Sequence, residues 1–108
     1  MANSFKMVSY DVTTSAAAAL TAGAGETIVI IGCSIGNVHA STASHVIAKV
    51  VQSGGSVESI IANQVSVPIN DALNPIQGKL VLETGDSFQL QSENAASLEA
   101  TISYMVIT

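Results

Sequence analysis

Gly78–Leu90, "GKLVLETGDSFQL", holds two carboxylates, Glu83 and Asp86, around Gly85 and between two runs of alternating apolar residues. In "KLVLE", Leu80 and Leu82 share one face, with Lys79, Val81 and Glu83 on the other. In "SFQLQS", Phe88 and Leu90 point one way and Gln89 and Gln91 the other. A period of two over short runs predicts β-strands, and Thr-Gly-Asp between them supplies a residue free to take positive φ and a side chain able to bond turn amides. The stretch therefore reads as a hairpin whose turn is made by Glu83, Gly85 and Asp86. No histidine, nucleophilic serine or third acid lies near in sequence, so acid–base catalysis is not expected of the two carboxylates.

The same period runs through the rest of the chain. "SLEATISYMVI", Ser97–Ile107, alternates Leu98, Ala100, Ile102, Tyr104 and Val106 against Glu99, Thr101, Ser103, Met105 and Ile107. "ETIVIIGCSIGNV" is apolar on both faces, with Thr27, Val29, Ile31, Cys33 and Ile35 on one and Ile28 and Ile30 on the other. That pattern fits a strand covered from both sides. "SHVIAKVVQS" and "SVESIIANQ" flank Gly54–Gly55 and predict a tight hairpin. Pro68 makes "VSVPIN" an edge or a strand end, because proline donates nothing to a ladder. "NDALNPIQ" reads as a loop, and "TSAAAALTAGAG", Thr14–Gly25, as a loop with one helical turn.

Seven or eight strands at spacings of roughly 8–12 residues predict one all-β domain over residues 1–108, an antiparallel β-sandwich or jelly roll. Residues 1–12 read as an N-terminal strand or an arm laid on a neighbour. Phe5 and Tyr10 can anchor such an arm, the alternative being that they tuck into the protein's own core. Met105 and Ile107 put apolar side chains on the outer end of the last strand, where a partner would cover them. With Met7 these make five candidate contact residues: Phe5, Met7, Tyr10, Met105 and Ile107.

Only 10% of the 108 residues are charged while 48% are hydrophobic. Interface cores are poor in charge, so a weakly charged skin favours contact with other subunits over a monomer with a neutral surface. Three lysines and no arginine face eight acids, for a net charge of −5. Phosphate backbones and anionic lipid need clustered cations, so neither nucleic acid nor a membrane is expected as a partner. Cys33 stands alone in an apolar run and reads as a buried structural residue. The first residues lack a signal peptide's apolar stretch, and use without such export is the expectation.

No catalytic, cofactor or metal residues emerge. His39 and His45 lie six apart in what reads as a loop, with no cysteine or acid between them, a poor ligand set. No serine sits in G-x-S-x-G, and "GAGETI" lacks the lysine of a phosphate loop. Two Phe, two Tyr and no Trp are few for a carbohydrate platform.

The opening "MANSFK", the central "IIGCSIGNVHAS" and the closing "VPINDALNPIQGKLVLETGDSFQLQSENAASLEATISYMVIT" together resemble small virion structural proteins of tailed marine phages, those of cyanophages in particular. Such proteins run from "MANSF" through a V-P-I-x-G region into a "KLVLEAGD"-like hairpin and a final apolar strand. Here "SYMVIT" departs from the usual ending, and "HASTASH" is particular to this chain. The resemblance implies a β-sandwich virion component assembled in the host cytoplasm, without enzyme activity or a cofactor. It leaves the position on the particle open; the acidic, compact single domain favours a capsid decoration or cement protein on the major capsid lattice, as a homo-oligomer and foremost a trimer. The other readings are a low-copy neck, tail or fibre protein and, from a different class, a carbohydrate-binding module.

Overall fold

The computed structural model describes residues 3–39, 42–53, 55, 57–76, 78–94 and 98–108. Among them are nine strands and no helix: β1 (Asn3–Asp11), β2 (Ala17–Thr21), β3 (Thr27–Asn37), β4 (Ser44–Val51), β5 (Glu58–Val67), β6 (Ala72–Leu73), β7 (Leu80–Leu82), β8 (Ser87–Ser92) and β9 (Leu98–Ile107). All pairings are antiparallel. One sheet has the order β1-β9-β3-β6, with β7 also on β3, and the other the order β2-β8-β4-β5. The chain is thus all-β, with two antiparallel sheets sharing one core, an arrangement compatible with a β-sandwich.

Inward residues of both sheets build that core. Phe88 and Leu90 of β8 and Val46 of β4 meet Ile30 and Ile35 of β3, Leu82 of β7 and Leu98 and Ile102 of β9, all fully buried. Each such side chain contributes about 1.5–3 kcal/mol through the apolar surface it removes from water. No buried side-chain nitrogen or oxygen among the described residues lacks a hydrogen-bond partner.

Five segments depart from the sequence reading. The face of β3 changes partway along, because a register shift against β9 between Ile30 and Gly32 inserts Ile31 as a bulge. Thr27 and Val29 therefore lie on the outer face, whereas Cys33 and Ile35 are buried with Ile28 and Ile30. One extra residue flips the phase of a period-two strand, and alternation alone does not locate it. "TSAAAALTAGAG" contains β2, paired with β8 from Ala17↔Leu90 to Thr21↔Ser87 and burying Leu20. Pairing overrides alanine's helical preference here.

"SVESIIANQ" and "VSVPIN" form largely one strand: β5 runs unbroken to Val67 at the edge of its sheet and stops before Pro68. It makes a hairpin with β4, closed by Gln52 N–H to Val57 C=O and by Gly55 N–H to Gln52 C=O, both 2.9 Å, with Gly55 at φ 74°. Gly54, the other glycine of the expected turn, lies outside the described residues. "NDALNPIQ" contains β6, two residues paired with Ile35 and Gly36 of β3.

The largest correction concerns Glu83–Asp86. The segment turns, with Asp86 N–H to Glu83 C=O at 2.9 Å, but the two flanking strands are not a hairpin. β7 pairs with β3 and β8 with β2 and β4, so the turn arches from one sheet to the other. Leu82 and Phe88 face each other across the core instead of lying side by side. Alternation is the same in both arrangements.

Candidate functional site

The outer face of the first sheet carries an organised apolar surface. Its register sets Phe5 of β1 beside Met105 of β9, Met105 beside Val29 of β3, and Val29 beside Val81 of β7. This row crosses four strands. Phe5 is 76% exposed and Val81 53%, with Met105 and Val29 half-buried between them. Met7, 61% exposed, and Ile31, in the bulge, extend the row on one side; Ile107, beside Asn3 and Thr27, extends it on the other. Phe5 and Met7 alone expose about 200 Å² or more, which brings the patch to the size of the largest apolar patch on a typical monomer, a patch that is often functional.

Along the strands the face changes character. Beyond Met7 come Ser103 and Gly32, then Ser9, Thr101 and Ser34, and at the far end Asp11, Glu99 and Gly36. A Cβ at Gly32 or Gly36 would meet nothing within 4 Å, so the middle of the face is flat and open. Asp11 and Glu99 stand directly opposite on adjacent strands, both exposed. Like charges so placed are mildly destabilising. One face thus runs from apolar through small polar to acidic.

Of the five candidate contact residues, Phe5, Met7, Met105 and Ile107 meet on this face. Tyr10 does not. It shares the inner side with Val8, opposite buried Ala100, and packs on the core. Residues 3–11 are paired with β9 throughout, so they are an edge strand and not a free arm. The sequence reading missed Val29, Ile31 and Val81 as members of the patch. The available signal was the doubled apolar character of "TIVII", which the reading assigned to cover from both sides.

Glu83 and Asp86 line a polar depression at one end of the molecule with Gln52, Ser53, Val81 and Thr84. Both oxygens of the Asp86 carboxylate are engaged: Oδ2 accepts Glu83 N–H at 3.1 Å and Oδ1 accepts Ser53 N–H at 3.0 Å. It fastens the β7–β8 arch to the β4–β5 turn. Gly85 N–H and Asp86 C=O bond Ala22 at 2.9 and 3.1 Å, and Thr84 Oγ1 donates to Glu26 C=O at 2.9 Å. Gly85 has φ 90°, and a Cβ there would lie 2.5 Å from Ser53 Oγ. The chemistry of the depression is that of a clamp.

At the other end Asn37, buried at the close of β3, donates through Nδ2 to Val67 C=O at 2.8 Å and Thr42 C=O at 3.1 Å. Its Oδ1 accepts His39 N–H at 2.8 Å. His45 lies in β4 and not in the loop, with Nδ1 3.6 Å from Glu93 Oε1, both side chains about half exposed. Its surroundings, Ile47, Gln64, Gln91 and Ser92, form a shallow depression without an aromatic wall. No three His, Cys, Asp or Glu side chains among the described residues are grouped to hold a metal ion. Cys33 is 2% exposed, and burial pushes its thiol up to about 11, which disfavours the nucleophilic thiolate.

The fold and surface define an all-β domain with two fastened ends and an uncovered apolar sheet face. Compared with protein families, with curated proteins and with solved structures, the chain matches none.

Proposed function

We propose that this chain is a structural subunit of a tailed-phage particle, and within it a capsid decoration or cement protein seated on the major capsid lattice as a homo-oligomer. It acts by binding and not by catalysis. The observation that carries the reading is the apolar row Phe5–Met105–Val29–Val81, on the outside of a sheet whose inner side already forms the core. Together with 10% charge it describes a surface made to be covered. The depressions support it less directly: one is a clamp and the other lacks the aromatic wall on which a sugar would stack.

The strand orders support the jelly-roll form of the fold. β6 and β7 fill one position beside β3, so both sheets have four positions. Succeeding positions alternate between sheets except at the β4–β5 hairpin, as two interleaved Greek keys require.

Quantitative mass spectrometry of purified particles of the encoding phage, referenced to the major capsid protein, tests the reading. Hundreds of copies are expected. About three to eighteen would move the chain to the neck, tail or fibre, on the copy numbers that closed rings of low symmetry allow. Absence from particles would overturn the virion reading and favour a carbohydrate-binding module.

A further inference from the structure

The outer edge of β1 is a second interaction surface, and its hydrogen-bond phase can be read. β1 pairs with β9 in unbroken register from Asn3↔Ile107 to Asp11↔Glu99. One step further, Val12 N–H donates to Leu98 C=O at 3.0 Å. In an antiparallel ladder a residue's N–H and C=O point to the same side, and successive residues alternate. Val12, Tyr10, Val8, Lys6 and Ser4 therefore turn their backbone groups toward β9. Asn3, Phe5, Met7, Ser9 and Asp11 turn theirs outward, where β1 has no neighbouring strand among the described residues.

We infer that this edge pairs, antiparallel and about a two-fold axis at Met7, with β1 of a second copy of the chain. Outward-pointing residues must oppose each other, which places the axis at a residue of β1 and not between two. Only Met7 brings all nine residues of β1 into the ladder. The pairs are then Met7 with Met7, Phe5 with Ser9 and Asn3 with Asp11, the last two occurring twice, and they supply about ten backbone hydrogen bonds. That is the number carried by an interface of standard size.

The side chains agree with this register. At each end the Asn3 amide of one copy meets the Asp11 carboxylate of the other, giving a donor to the acid that Glu99 crowds. Phe5 and Met7, the two most exposed large apolar residues among the described residues, lie along the joint. Lys6, the one basic residue of β1, falls opposite Val8 and not another Lys6.

The opposite edge of the molecule makes the contrast. β5 breaks register with β4 twice, around Val46/Ala48 and around Ala48/Lys49, and Gln64 sits at φ 52°. Bulges of this kind protect an edge from pairing. β1 has none and no proline.

This pairing rests on the homo-oligomer reading above and gives it a contact. It closes at two copies, in place of the trimer expected of a decoration protein. Both outer faces then point the same way in one continuous sheet, open to a third protein.

Sedimentation velocity of the full chain across micromolar concentrations tests it, with a species of twice 11.0 kDa expected. Met7→Lys sets two ammonium groups against each other at the axis and should weaken the pair at least about tenfold. Ile60→Lys, on the exposed part of β5, should leave it unchanged. For the register, Met7→Cys should oxidise to a linked dimer, because directly paired Cα atoms lie about 5.5 Å apart, within disulfide reach. Phe5→Cys, facing Ser9, should not, and buried Cys33 does not compete. A monomer at every concentration, a pair indifferent to Met7→Lys, or equal crosslinking by the two cysteine variants would each overturn the inference. None of these results bears on copy number in particles, which tests the virion reading separately.

Discussion

β1 and β5 close opposite edges of the two sheets and are fastened in different ways. β5 is gripped from inside at both ends. The turn that precedes it is held by Ser53 N–H to Asp86, and its last residue, Val67, gives its carbonyl to Asn37. Its register shifts twice between those grips. β1 is held by its ladder to β9 and by Val8 and Tyr10 on the core, and among the described residues its side-chain hydrogen bonding is a weak local contact from Ser9 to Met7 sulfur. The fastened edge is irregular and unreceptive, and the loosely held edge is regular and open. Stability and association therefore sit on different sides of the molecule, and substitutions should separate them.

The largest effect is expected on the β5 side. Gly85→Val demands a branched residue at φ 90° and a Cβ 2.5 Å from Ser53 Oγ. It should cost about 3 kcal/mol or more in urea unfolding, summing strain and the displaced turn. A loss under about 0.5 kcal/mol, the range of ordinary surface changes, would mean the clamp is dispensable. Asn37→Ala should come next, at about 1–3 kcal/mol, because it strips a donor from the buried Val67 carbonyl. Amide exchange should then quicken at the β5 end and not in β1; uniform quickening would erase the proposed division.

Cys33, on β3 between the two edges, supplies the pH test. Burial raises its thiol from 9.0 to about 11, so its contribution is fully present below about pH 9. It is lost as pH rises toward 11, since only the unfolded thiol ionises freely. Relative to Cys33→Ala, the wild type should lose at most about 1 kcal/mol per pH unit in that window. Parallel curves would show that the buried thiol does not feel the core.

The smallest effects on stability belong to the exposed positions themselves. Met7→Lys and Ile60→Lys should each change monomer unfolding by no more than about 0.5 kcal/mol. Only the first should change association.

The sequence carried the inward faces of β7, β8 and β9, because Leu80, Leu82, Phe88, Leu90, Leu98 and Ile102 repeat with period two and the buried side wins. It also carried the β4–β5 pairing and the stop at Pro68. What escaped depends on partners distant in sequence. The bulge at Ile31 is defined only against β9, β2 only by lying on β8, and the arch at Glu83–Asp86 only by which sheet receives each strand. For the same reason Phe5, Met7, Met105 and Ile107 could be picked out singly, while their assembly with Val29 and Val81 into one row needed the register. Tyr10 was left open between an arm and the core, because an aromatic near a terminus looks alike whether it faces in or out.

Amide hydrogen exchange along β1, measured residue by residue above and below the association concentration, tests the open edge most directly. The amides of Ser4, Lys6, Val8 and Tyr10 should be protected at both concentrations by their bonds to β9. Those of Phe5, Met7 and Ser9 should exchange freely in the dilute protein and gain protection in the concentrated one. Free exchange of these three at every concentration would contradict the account.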